Sequence, residues 1–106
     1  MDVIQLIKNL KTIPLGTLVS EEEVSGICNS LKVAEVPIIE VTLRDKKVRN
    51  ILKYFNDYPE IKLGVGTVRN IKDIDLAVES GASFIITPGF SSVLSSYANQ
   101  KNILLI

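Results

Sequence analysis

Two spacings of hydrophobic residues alternate along the chain. Short aliphatic runs are separated by longer segments in which apolar residues recur every three or four positions. The runs predict strands, and the longer segments predict amphipathic helices. The predicted strands cover residues 13–19, 36–42, 61–68, 83–87 and 103–106, and the opening helix covers 2–11. Strict alternation of strand and helix predicts parallel βαβ units, and therefore an α/β fold with a parallel sheet.

Polar residues mark where the helices between the strands begin and end. We expect Ser20, Asp45 and Asn70 to be N-caps. Ser20 also begins a capping box with Glu23, and the acidic residues around Glu23 suit the positive end of a helix dipole rather than a metal site. Gly81 is expected to end the helix that Asn70 begins. That helix is predicted to turn Ile74, Ala77 and Val78 inward.

The stretch 37–44 places a carboxylate inside an apolar strand. Its aliphatic residues are typical of a strand that is buried on both faces, and Glu40 lies among them. A buried carboxylate costs free energy unless it is hydrogen-bonded, paired or functional. Arg44 follows at the carboxyl end of the strand, where parallel α/β folds carry their chemistry. Glu40 and Arg44 are therefore candidate site residues, and the alternative is a strand that ends in a surface Glu and Arg.

The ends of the next two predicted strands carry further candidates: Gly66 with Thr67, and Thr87 with Pro88 and Gly89. Because the carboxyl ends of parallel strands converge on one face, we expect these residues near Glu40. Glycine lets backbone amides approach an anion, and the Thr67 hydroxyl adds a donor. The glycines lack the spacing of a dinucleotide fingerprint or phosphate loop, which excludes a Rossmann site. A tight turn is the structural alternative.

The amino-acid composition excludes several classes of partner and of catalytic site. The 106 residues suffice for one domain, and 46% of them are hydrophobic. Twelve basic and twelve acidic residues cancel, so we expect neither a nucleic-acid nor a membrane partner. The absence of histidine excludes Ser-His and Cys-His catalysis and histidine-bound metals. The single cysteine, Cys28, fits a helix core in a reducing cytoplasm. We expect no metal and no cofactor.

Three motifs together resemble the 2-keto-3-deoxy-6-phosphogluconate / 4-hydroxy-2-oxoglutarate (KDPG/KHG) aldolases. They are Ile-Ile-Glu-Val-Thr-Leu-Arg at 38–44, Gly-Val-Gly-Thr-Val at 64–68 and Gly-Ala-Ser-Phe-Ile-Ile-Thr-Pro-Gly at 81–89. Their order, their spacing and the intervening helices agree with that family over about 13–106. The combination is far more specific than any one motif.

The resemblance implies a (β/α)8 barrel and a class I aldolase. Such enzymes, usually trimers, cleave a 2-keto-3-deoxy sugar acid to pyruvate and an aldehyde through a lysine Schiff base. Glu40 is implied to be the general acid/base. Arg44 and Thr67 are implied to bind the substrate carboxylate, with Gly66, Pro88 and Gly89 around the pocket. The expected partner is a small keto acid, and the expected assembly is a homo-oligomer.

Two departures from the family pattern are visible. Leu15-Gly16-Thr17 stands where the family commonly has a Pro-Val-Ile-type core, and the family's lysine lies on a sixth strand whereas this chain ends on the fifth. We therefore expect residues 1–106 to be a single partial barrel domain, roughly the first half, truncated before the sixth strand. A Schiff-base lysine must be desolvated and point into the pocket. None of the lysines here is expected to meet that requirement.

The sequence leaves three functional interpretations open. The chain belongs to an aldolase of this family. Alternatively, it is a split or inactive barrel fragment that binds small keto acids or needs a partner chain to bring the lysine. A third possibility is a fragment of another phosphate-handling (β/α)8 protein whose loops look similar through convergence.

Overall fold

Five strands and five α-helices alternate along the chain in the computed structural model, which describes residues 2–106. The strands are β1 (Leu15–Gly16), β2 (Ile38–Thr42), β3 (Lys62–Gly66), β4 (Phe84–Ile85) and β5 (Leu104–Leu105). The helices are α1 (Val3–Leu10), α2 (Glu21–Val33), α3 (Lys46–Ile51), α4 (Ile71–Glu79) and α5 (Ser92–Gln100), and a 3₁₀ turn over Leu52–Asp57 continues α3.

All five strands form one parallel sheet, in the order β1-β2-β3-β4-β5. Spatial order therefore follows chain order, as it does around a barrel, whereas a doubly wound sheet reverses its order at a switch point. The register places Glu40 opposite Gly64 and Thr42 opposite Gly66. This confirms the predicted parallel βα repeats.

One face of the sheet packs against helices α2 to α5. Ile39, Val41, Leu63 and Val65 point to that face and are at most 2% exposed. Cys28 of α2 is fully buried in the same cluster, and burial raises the pKa of its thiol to about 11. The thiol is therefore protonated at neutral pH, which fits the predicted core role.

A second, smaller core lies on the opposite face and is closed by α1. Leu6 of α1 packs with Ile38 and Phe84, the first residues of β2 and β4. A side chain at Gly64 would collide with the Phe84 ring, so this glycine lets the aromatic side chain lie across β3. The helix thus covers the amino ends of the strands and leaves their carboxyl ends open.

The predicted helix caps are confirmed. Ser20 Oγ accepts a hydrogen bond from Glu23 N at 3.2 Å, and Asp45 Oδ1 accepts one from Lys47 N at 2.9 Å. Asn70 Oδ1 accepts one from Asp73 N at 2.9 Å, and Gly81 follows α4 with φ at +79°.

Two details of the predicted pattern are wrong. The strands are shorter than predicted: in 13–19 only Leu15 and Gly16 pair with β2, and the predicted strands 61–68 and 83–87 are reduced to Lys62–Gly66 and Phe84–Ile85. Val78 was expected to point inward but is 38% exposed, while Ile74 and Ala77 are fully buried. Val78 follows Ala77 by one residue, which turns its side chain about 100° around a helix, away from the core.

Candidate active site

The carboxyl ends of the strands surround a small pocket of about 140 Å³ on the face opposite the helix-packed core. The side chains that line it come from β1, from β2 and the residue two beyond it, and from the segments after β3 and β4: Leu15, Glu40, Thr42, Arg44, Thr67, Ile86, Thr87 and Pro88. Five residues predicted from the sequence therefore meet here, although they come from three separate segments of the chain.

Glu40 contributes the buried charge of this pocket. Its backbone amide donates to the Pro14 carbonyl at 2.8 Å, which fixes β2 against the segment leading into β1. The side chain lies on the face away from the helices, and Glu40 is only 9% exposed. Burial raises the pKa of the Glu40 carboxyl, and the positive charge of Arg44 acts in the opposite direction. A carboxyl group tuned in this way is suited to both accepting and donating a proton.

Gly66 and Gly89 do not line the pocket but support it. A side chain at Gly66 would collide with Glu40 Oε1, so the missing Cβ provides the space in which the carboxylate lies. The Gly89 carbonyl accepts a hydrogen bond from Thr87 Oγ1 at 2.9 Å, which folds the Pro88 turn over the end of β4. The two glycines were predicted as site residues, and the structure places both beside residues that line the pocket.

Arg44 lies just beyond β2, between that strand and the Asp45 cap of α3. Its backbone amide donates to the Thr42 carbonyl at 2.9 Å, and its side chain is exposed. Within residues 2–106, neither of the two salt bridges includes Arg44. Its guanidinium is therefore placed at the pocket without a carboxylate bound to it, as an anion-binding arginine requires.

Thr67 has a strained backbone. Its φ is +58°, in the left-handed region, and Thr67 is β-branched. The other non-glycine residues with positive φ in the described chain, Lys11, Glu35 and Asn102, follow helices, where this conformation is common. Strain of this type costs about 1–3 kcal/mol and is concentrated at functional sites. The Thr67 conformation therefore supports a role in the pocket.

Thr42 is a lining residue that the sequence interpretation did not single out. It lies two residues beyond Glu40 on β2 and is half-buried. Side chains alternate between the two faces of a strand, so residues two apart share a face. That spacing was the available signal, and it adds a hydroxyl beside the carboxyl.

No lysine within residues 2–106 lines this pocket. Lys62, the one half-buried lysine among them, begins β3 at the opposite end from Thr67 and borders a separate cavity with Tyr58 and Ser80. The others are exposed: Lys8, Lys11, Lys32, Lys46, Lys47, Lys53, Lys72 and Lys101. The same part of the chain contains no cluster of three or more acidic or cysteine side chains that could hold a metal ion.

A larger surface depression, about 560 Å³, lies between the first residues of α4 and α5. Its charged residues, Arg69 and Lys72, are both exposed. It therefore lacks the buried carboxyl and the strained backbone of the smaller pocket. The depression has the larger volume, but the buried carboxyl and the strained backbone make the pocket around Glu40 the better candidate for the active site.

None of the described helices is long and apolar enough to cross a membrane.

The family model "Aldolase: KDPG and KHG aldolase" matches residues 3–106. The KHG/KDPG aldolase of Escherichia coli is 32% identical over 95 residues, which cover 89% of this chain and 45% of that enzyme. The crystal structure of 2-keto-3-deoxy-6-phospho-gluconate aldolase from Zymomonas mobilis superposes with a TM-score of 0.86 at 25% identity, over 100% of this chain and 52% of that one.

A KDPG aldolase from Legionella pneumophila, with pyruvate captured as a covalent carbinolamine intermediate, superposes with a TM-score of 0.79 at 28% identity, over 89% of this chain and 46% of that chain. The chain spans about half the length of the relatives that it matches. These likenesses confirm the predicted α/β fold as roughly half of a (β/α)8-type barrel.

Proposed function

Because the chain belongs to the KDPG and KHG aldolase family, we propose that it supplies the proton-transfer and carboxylate-binding part of a class I aldolase. Residues 1–106 then act as a single partial barrel domain. The reaction is cleavage of a 2-keto-3-deoxy sugar acid to pyruvate and an aldehyde. The observation that carries the proposal is the meeting of Glu40, Arg44 and Thr67 in one pocket at the strand ends.

Glu40 acts as the general acid and base. A lysine amine adds to the substrate C2 carbonyl, and Glu40 donates the proton with which the hydroxyl leaves as water. The same carboxylate then removes the proton of the C4 hydroxyl, so that the C3–C4 bond breaks and its electron pair moves toward the iminium nitrogen. The raised pKa of Glu40 supports this double role. In a preparation that turns over substrate, Glu40→Gln lowers kcat by about 10²-fold.

Arg44 and Thr67 hold the substrate carboxylate. The guanidinium offers a two-pronged donor set that matches a carboxylate, and the Thr67 hydroxyl adds a third donor. Pro88 and the Gly89 turn close the side of the pocket. Arg44→Met is expected to weaken pyruvate binding about tenfold or more, the usual loss for a hydrogen bond to a charged group. Lys8→Met, which also removes an exposed cation but lies on α1 outside this pocket, is the control and leaves the affinity unchanged.

The Schiff-base lysine, in this proposal, comes from residues outside these 106, because no lysine in the described chain lines the pocket. Incubation with pyruvate and sodium borohydride, followed by intact mass measurement, tests this. The chain alone is expected to remain unmodified, while the full-length Escherichia coli relative, as the control, gains a pyruvyl adduct. An adduct on this chain would overturn the proposed origin of the lysine.

A second candidate is a module that binds small keto acids without turning them over, or that awaits a partner chain. The same absence of a lysine from the pocket favours it. Mixing the chain with a polypeptide that carries the remaining strands of a relative distinguishes the two. Restored aldol cleavage supports the divided enzyme, whereas binding without cleavage supports the module.

A further inference from the structure

Asp73 is a buried acid that the proposed reaction does not use. It lies in the first turn of α4 and is 3% exposed. Its side chain has two interaction partners outside α4. Its Oδ2 accepts a hydrogen bond from the Arg69 amide at 3.0 Å, and its Oδ1 lies 2.8 Å from Arg49 Nη1. Both carboxylate oxygens are thus engaged, one by the loop before the helix and one by a neighbouring helix.

The loop that Asp73 holds is the one that carries Thr67. Three contacts fix this loop around the strained residue. The Gly66 carbonyl accepts from Leu43 N at 3.0 Å, and Val68 N donates to the Ile86 carbonyl at 3.1 Å. These two are backbone bonds to the ends of β2 and β4. The third is the Arg69 amide bond to Asp73, which depends on a side chain.

The second partner of Asp73 connects the loop to the helix that follows Arg44. Arg49 lies in the last turn of α3, and the N-cap of α3, Asp45, directly follows Arg44. The Arg49–Asp73 pair therefore joins the first turn of α4 to α3. One carboxylate thus contacts both the loop that carries Thr67 and the helix that follows Arg44.

We propose that Asp73 is a positioning residue for the keto-acid pocket, holding the 67–69 loop and α3 so that Thr67 and Arg44 face the same carboxylate. The inference rests on the proposed function. Asp73 lies outside the pocket lining and acts through the Arg69 amide and the Arg49 side chain.

Helix capping alone does not account for these contacts. Asn70 caps α4, and it does so by accepting from the backbone amide of Asp73. That bond does not use the Asp73 side chain. The carboxylate instead reaches out of the helix to Arg69, one residue before the cap. The carboxylate bond to the loop is therefore distinct from the Asn70 cap bond.

The test compares Asp73→Ala and Asp73→Asn with Asp75→Ala. Asp75 lies on the same helix, and its carboxylate accepts a hydrogen bond from Tyr97 OH at 2.6 Å, away from the pocket. Two quantities are measured by NMR: the hydrogen-exchange rate of the Arg69 amide, and the pyruvate dissociation constant. Exchange rates are compared with those of α2 amides in the same variant, which corrects for any change in global stability.

Asp73→Ala is expected to raise both quantities about fivefold, the loss typical of one hydrogen bond. Asp73→Asn keeps an acceptor but loses the charge, so it is expected to raise both by about two- to threefold. Asp75→Ala leaves both unchanged. If Asp73→Ala fails to fold, the Asp73→Asn variant provides the test: a rise of about two- to threefold in both quantities supports the proposal, and no change contradicts it.

Unchanged Arg69 exchange and pyruvate affinity in the Asp73 variants would overturn the proposal, as would equal losses in Asp75→Ala. A parent chain that does not bind pyruvate would instead refute the proposed function. The positioning role would then be judged on Arg69 exchange and on the Thr67 amide signal, which should move in Asp73→Ala and not in Asp75→Ala.

Discussion

Glu40 lies where two physical requirements conflict. An aliphatic strand favours a neutral side chain, and burial accordingly raises the pKa of its carboxyl, while Arg44 favours the charged form. At a pH below the pKa that this carboxyl has in the unfolded chain, it is protonated in both the folded and the unfolded state, and the stability does not depend on pH through it. Above that value the unfolded chain ionises first, so the folded state loses relative stability as the pH rises through the raised pKa.

Replacement of Glu40 by Gln should remove this pH dependence. The unfolding free energy of Glu40→Gln minus that of the parent is expected to be larger at pH 7 than at pH 4, because the variant lacks the ionisation that destabilises the folded parent. Urea unfolding of both proteins at the two pH values measures the difference. An equal stability difference at pH 4 and pH 7 would show that the carboxyl is not perturbed by folding.

Gly66→Ala should disturb the site through Glu40. The added methyl group would collide with the Glu40 carboxylate, and a forced rearrangement of this kind costs about 1–3 kcal/mol. Gly26→Ala is the matched control: a methyl group there meets no atom within 4 Å, and alanine favours the helix by up to about 1 kcal/mol. Denaturant unfolding measures both variants.

The Gly66→Ala penalty should shrink when Glu40→Ala is made in the same chain, because the colliding carboxylate is gone. A penalty of the same size in both backgrounds would mean that the strand backbone, and not Glu40, requires this glycine.

At the scale of elements, the sequence predicted what local chemistry decides. The βα repeat, the caps at Ser20, Asp45 and Asn70 and the end of α4 at Gly81 all follow from spacing and side-chain type. The number of residues that pair in each strand could not be predicted in this way, because it depends on how far the neighbouring strand extends.

Apolar spacing also could not separate α3 from the 3₁₀ turn after it. Val48 and Ile51 of α3 and Leu52 and Phe55 of the turn are all buried in one cluster, so both helical types satisfy the pattern. The left-handed backbone of Thr67 has no local signal, since three contacts made by other segments hold its loop. For the same reason Asp73 was not recognised as part of the site's support.

Ser20→Ala tests the predicted cap of α2. Loss of the Ser20 hydroxyl leaves the Glu23 amide without its side-chain partner and is expected to cost about 1 kcal/mol of unfolding free energy. Ser30→Ala, at an exposed position inside the same helix, is the control and should stabilise slightly because alanine is the better helix former. Equal effects of the two changes in thermal unfolding would contradict the assigned cap.

At the scale of the whole molecule, the sheet has two open edges. Within the described residues β1 pairs with β2 alone and β5 with β4 alone, and the sheet is not closed. Leu15 at one edge is 70% exposed, and Ile106 beside the other is 51% exposed. Unpaired strand edges beside exposed apolar side chains favour association with another chain.

We expect the isolated chain to self-associate, with a second copy covering these edges. Light scattering coupled to size-exclusion chromatography should show a species heavier than the 11.7 kDa chain, with a share that rises with concentration. Replacing Leu15 by Lys should reduce that share, whereas Val33→Lys, at a more exposed apolar position on α2, should not. A monomer at all concentrations that unfolds cooperatively would contradict this expectation.

The most direct test of the account is an NMR titration of the ¹⁵N-labelled chain with pyruvate. We predict saturable shifts of the Arg44, Gly66 and Thr67 amides, which need about tenfold more pyruvate or higher in Arg44→Met and the same concentration in Lys8→Met. Absence of shifts at these amides, or shifts confined to the depression between α4 and α5, would contradict the assignment of the pocket around Glu40 as the keto-acid site.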